Sequence, residues 1–145
     1  MRGKLLATAI SAMLAVSVVA SGCGGGSKAS DEIKIGVVSE MTGSNATYGT
    51  SVVNGMKLAL KEVNDKGGVN GKKVSIVVAD SKSEPAEAAN AMSKLINQDK
   101  TPVVMGIFTS SSAIAAANVS EAAKVPFLAI GATNPTTCAK QASPF

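Results

Sequence analysis

Thr109, Ser110, Ser111 and Ser112 set four hydroxyls in a row, between the apolar run Val103–Phe108 and an alanine-rich segment ending at Lys124. One chemistry open to such a run is nucleophilic, but a serine nucleophile needs an activating base. The chain holds no histidine, and the run is not a G-x-S-x-G elbow. A Ser-His-Asp triad, a histidine general base and a histidine-ligated metal are therefore excluded from this chain. The two cysteines, Cys23 and Cys138, are too few for a structural zinc site. What remains is hydrogen bonding. A helix N-terminus carries unpaired N–H groups and about half a positive charge, so serines there can cap the helix or help to hold an anion such as a carboxylate. Capping accounts for one or two hydroxyls, not for the whole run.

Two further stretches carry the same kind of chemistry. "GATNP" offers Gly131, where backbone can come close to a ligand, and the Thr133 hydroxyl; it also reads as a simple turn. "SEMTGSNATYG" holds Tyr48, the only tyrosine, which suits either surface packing or a ligand contact.

These residues share a site only if the fold brings them to one edge. "EIKIGVVSE" (Glu32–Glu40) reads as a strand, with β-branched residues bounded by polar ones. From Tyr48 to Lys66, Val52, Val53, Met56, Leu60 and Val63 recur at helical spacing, with Glu62 and Lys66 as an i,i+4 pair. Gly67-Gly68 ends that helix and Asn70-Gly71 makes a turn. "KVSIVVAD" (Lys73–Asp80) is a second strand. Glu84-Pro85 starts a second helix striped by Ala88, Ala89, Met92, Leu95 and Ile96. Pro102–Phe108 is a third, apolar strand, Ser111–Lys124 a third helix and Val125–Gly131 a fourth strand. Alternation of strand and helix predicts an α/β fold: a doubly wound parallel sheet with helices on both faces. Ligands of such sheets bind beyond the carboxyl ends of the strands, where strand order reverses. The serines, "GATNP" and the Tyr48 loop all follow strands, so all three belong to that edge.

The N-terminus carries a different signal. Arg2 and Lys4 precede an apolar run, Leu5–Ala20, shorter than the roughly 20 residues that cross a bilayer. Small residues then lead into Cys23, the pattern of a cleaved secretory leader over residues 1–22. "GGGSKAS" continues as a flexible tether, so residues 23–31 link to a single domain over residues 32–145. The chain's net charge is +4, part of it from Arg2 and Lys4; its lysines are scattered and its aromatics few, which argues against a nucleic-acid surface.

Two resemblances extend these readings. "VASGC" resembles a bacterial lipobox, with Ala20 where leucine is usual; that implies a diacylglyceryl group on Cys23 and a membrane-anchored lipoprotein. From Ile33 to about Pro135 the chain resembles the leucine/isoleucine/valine-binding proteins, the periplasmic binding proteins of ABC importers. The shared tokens are T-G after the first strand, Y-G, N-G-M-K-L-A, G-G-x-x-G-K, D-x-x-S-E-P, the S-S-S loop and A-T-N-P.

This second resemblance implies strand order 2-1-3-4 and a second lobe beyond Phe145 that completes the cleft. It further implies an amino-acid ligand, permease and ATPase subunits as partners, no cofactor and no enzymatic activity. Ser110, with Ser111 beside it, and Thr133 would bind the ligand's α-carboxylate and α-amino group. Gly131 would offer its carbonyl, and Tyr48 would lie against the ligand. Some relatives join the loop after strand two to the end of strand three by a disulfide; here Ser83 and Thr109 stand at those places, and Cys138 has no partner once Cys23 is lipidated. A ligand-sensing receptor or regulator of the same fold, taking amides or other small solutes, is the competing expectation.

Overall fold

A computed structural model describes residues 32–139; the leader, Cys23 and the tether lie outside the described residues. The elements run β1 (Glu32–Ser39), α1 (Ala46–Asp65), β2 (Lys73–Asp80), α2 (Pro85–Asn97), β3 (Val104–Gly106), α3 (Ser110–Ala123), β4 (Phe127–Ala129) and α4 (Thr136–Ala139). All four strands are parallel, in the order β2-β1-β3-β4. The expected α/β sheet and its strand order are both found.

Neighbours in register put successive side chains on alternate faces. Gly36 and Val104 pair, and a Cβ on Gly36 would touch Leu95, so this face belongs to α2. The hydroxyl of Ser39, three residues on and therefore on the opposite face, donates to the Gly49 carbonyl of α1 (3.1 Å). Helices thus cover both faces. The main core lies on the α2 side, where Met92 and Leu95 are fully buried with Val38, Val104 and Ile107. Ala88 and Ala91 of α2 and Ala113 and Ala116 of α3 lie in the same core, and their short side chains let the two helices approach. Cutting Met92 or Leu95 back to alanine there would cost about 2–5 kcal/mol. On the other face α1 packs on β1 and β2, while Leu128 of β4 remains 56% exposed.

Several expected boundaries move. Strand three is not Pro102–Phe108 but the three residues Val104–Gly106, and Ile107 (φ 59°) turns the chain out of extended conformation directly after it. Strand four shrinks likewise to Phe127–Ala129, and α3 begins at Ser110 rather than Ser111. Helix α1 starts earlier, at Ala46, and ends at Asp65. Lys66 is then outside the helix, and the recorded ion pair is Lys61–Asp65 (2.6 Å) in place of Glu62–Lys66. In α2 the buried stripe takes Ala91 where Ala89 was expected. The Gly67-Gly68 stop and the Asn70-Gly71 turn form as expected, all four residues at positive φ. Among the described residues, no helix is long and apolar enough to cross a membrane.

Candidate functional site

Strand order reverses between β1 and β3, and Glu40 follows β1 directly at that point. Its carboxylate is fully buried. It accepts the N–H of Phe108 (3.1 Å to Oε2), the N–H of Thr109 (3.1 Å) and the Thr109 hydroxyl (3.0 Å). A charged group out of water is tolerated only when its lone pairs are satisfied. Here that satisfaction comes from the backbone just ahead of α3, so the end of β1 is fastened to the end of β3.

Thr109 is the N-cap residue of α3, yet its hydroxyl turns to Glu40 and makes no cap bond. Ser110, the first helical residue, does not cap either: its Oγ accepts the Asn134 N–H at 3.3 Å. This corrects the capping expectation, and the reason is competition from tertiary partners. The first intrahelical bond of α3 is Ala113 N–H to the Thr109 carbonyl. The N–H groups of Ser110, Ser111 and Ser112 precede it and point out of the helix end. Ser111 is exposed, whereas Ser112 is fully buried and its hydroxyl finds no protein partner.

An aromatic platform stands beside these groups. Tyr48, in the first turn of α1, stacks on Phe108 with ring centroids 4.4 Å apart and planes 4° from parallel. Tyr48 stays 53% exposed and Phe108 37%. Gly49 makes the placement possible, since a Cβ there would lie 2.1 Å from the Glu40 carbonyl oxygen. Behind the platform, a Cβ on Gly131 would meet Phe108 Cδ2 at 2.4 Å. The glycines of "Y-G" and "GATNP" are thus close approaches, the first onto Glu40 after β1 and the second onto Phe108 after β3.

The loop between β1 and α1 is held from the other side. Asp80, ending β2, accepts the N–H groups of Met41 (2.9 Å), Thr42 (3.2 Å) and Lys82 (2.8 Å) and the Thr42 hydroxyl (2.6 Å). Burial pushes its carboxyl upward, but the Thr42 hydroxyl and the three N–H bonds outweigh burial and hold it below its ordinary value of 3.8. Ser83 Oγ donates to the Thr42 carbonyl (2.8 Å) and accepts the Asn45 N–H (3.1 Å). Ser83 and Thr109 each bond to the stretch from Glu40 to Asn45.

The sequence-derived residues therefore do gather at one edge. Tyr48 and Gly131 both meet Phe108, and Ser110 bonds to the residue after Thr133, whose own side chain is exposed without a recorded partner. Glu40, Phe108, Asp80 and Asn134 were missed. The visible signal for Glu40 was a carboxylate directly after an apolar strand at the ligand edge. The arrangement offers outward N–H groups, free hydroxyls and an exposed ring, which can hold a carboxylate and cover an apolar or ammonium group. Among the described residues no cluster of three metal-ligating side chains occurs.

A parallel α/β lobe with donors and rings at its switch point has the geometry that small-molecule sites of such sheets use. The chain belongs to the periplasmic binding protein family, which it matches over residues 32–145. It is 35% identical over 134 residues to an amino acid binding protein of Pseudomonas aeruginosa, covering 92% of this chain and 33% of that one. Among solved structures it resembles the branched-chain amino acid transporter substrate binding protein LivJ of Streptococcus pneumoniae in complex with isoleucine. There the identity is 40% and the TM-score 0.73, over 76% of this chain and 32% of that one. A solute binding protein of an ABC transporter from Rhodopseudomonas palustris, in complex with 3,4-dihydroxybenzoic acid, is 31% identical with a TM-score of 0.68, over 74% and 29%. The chain spans about a third of the length of the curated relatives it matches.

Proposed function

We propose that this chain is the N-terminal ligand-binding lobe of an extracytoplasmic solute-binding subunit of an ABC importer for amino acids, branched-chain ones first. It acts as a binding module rather than an enzyme, delivering ligand to permease and ATPase subunits. The observation that carries the reading is the 40% identity to a relative whose crystal holds isoleucine. In this reading residues 1–22 are a lipoprotein leader, Cys23 carries the lipid, residues 23–31 are the tether and residues 32–145 the lobe. Ser110 and Ser111 take the ligand's α-carboxylate through hydroxyl and N–H, as the open start of α3 suits. Gly131 and Thr133 meet the α-amino group, and Tyr48 lies along the ligand.

Calorimetric titration of the full-length protein with leucine, isoleucine and valine tests this, with 3,4-dihydroxybenzoic acid and a small aliphatic amide as competitors. Saturable binding of at least one branched-chain amino acid, tighter than either competitor, is expected. Binding of the aromatic acid or the amide alone would overturn the amino-acid reading.

A further inference from the structure

Ile107 has φ 59° and is fully buried. A β-branched residue in the left-handed region costs on the order of 1–3 kcal/mol and persists only when its surroundings fix it. What fixes the next two residues is Glu40, through the N–H groups of Phe108 and Thr109 and the Thr109 hydroxyl. Those residues aim the Phe108 ring at Tyr48 and lead directly into Ser110. We propose that Glu40 is the positioning residue of the ligand site: its buried carboxylate sets the β3–α3 turn, and through it both the aromatic platform and the Ser110 donors. It also fills the N–H groups just before α3, so a ligand carboxylate is left the ones that follow, at Ser110 and Ser111. This deepens the proposed function and rests on its placing the ligand at this edge.

The test pairs a ligand-free readout with a binding one on the full-length protein. Glu40→Gln keeps the size but puts an NH₂ donor in place of Oε2, leaving the Phe108 N–H only its longer bond to the Oε1 position (3.2 Å). The Tyr48 near-ultraviolet circular dichroism, taken as the difference from Tyr48→Leu, reports the stack whatever other tyrosines the protein holds. In Glu40→Gln that difference should largely vanish, and isoleucine affinity should fall about tenfold or more. A wild-type Tyr48 band and affinity, with only the urea midpoint lowered, would make Glu40 a structural carboxylate and overturn the proposal. If Glu40→Gln does not fold, Thr109→Val removes one donor only: a reduced band supports positioning, an unchanged band overturns it. Should isoleucine fail to bind the unmodified protein, the proposed function fails, while the Tyr48 band still decides the role of Glu40.

Discussion

The rings of Tyr48 and Phe108 lie face to face, 4.4 Å between centroids, although they come from α1 and from the turn after β3. Neither ring is buried, so hydrophobic burial alone does not hold the pair. Its geometry depends on what stands behind each ring: the Gly49 contact with Glu40 for Tyr48, and Gly131 for Phe108.

Gly131→Ala tests that backing. The added methyl would lie 2.4 Å from Phe108 Cδ2 and 2.9 Å from Phe108 Cα, so backbone as well as ring must shift. A stability loss of about 1–3 kcal/mol is expected in urea unfolding, the cost typical of overpacking. Ligand affinity should drop with it. A variant that unfolds and binds like wild type would show that the platform does not lean on Gly131.

Asp80 gives a pH dependence whose sign is fixed. Its folded pKa lies below 3.8, so its contribution is present above that value and is lost as pH falls through the lower, folded value. In that acid window the unfolded state binds more protons, and stability rises with pH. Asp80→Asn should flatten that part of the urea-midpoint profile and lower stability at neutral pH, because the bonds from the Thr42 hydroxyl and the three N–H groups lose their charge assistance. An unchanged acid limb would remove Asp80 as its source.

The anchor is tested at Cys23. Expressed in a bacterium with its leader, the protein should partition into detergent, and Cys23→Ala should release it or stall its processing. Processing and membrane retention equal to wild type in Cys23→Ala would contradict lipidation.

Much of the fold was legible because it rests on local rules. The alternation of periods, the Gly67-Gly68 stop and Pro85 at the start of α2 each act within a few residues, and each was found. The strand ends were not legible. Apolar Ile107 and Phe108 extend the run of β3, but the turn there follows from Glu40, distant in sequence, and from a positive φ that periodicity does not signal. The same long reach hid the partner of the Thr109 hydroxyl, which donates to Glu40. Residue types pointed to one edge of the sheet, and tertiary partners decide which hydroxyl there is bonded within the fold.

Ser110 bears most directly on the central claim. Its hydroxyl accepts one long bond from the Asn134 N–H, 3.3 Å at an exposed position, so the unliganded fold should lose at most about 1 kcal/mol in Ser110→Ala. A ligand carboxylate at the same hydroxyl would make a charge-assisted bond, roughly 1.5–3 kcal/mol once water is excluded. The deciding measurement is calorimetric titration of isoleucine into the full-length protein and its Ser110→Ala variant, with Ser112→Ala, whose hydroxyl is buried, as control. Affinity about 10- to 100-fold weaker in Ser110→Ala, with Ser112→Ala within about twofold of wild type, is the predicted result. Equal affinity in Ser110→Ala and wild type would contradict a ligand carboxylate at the start of α3.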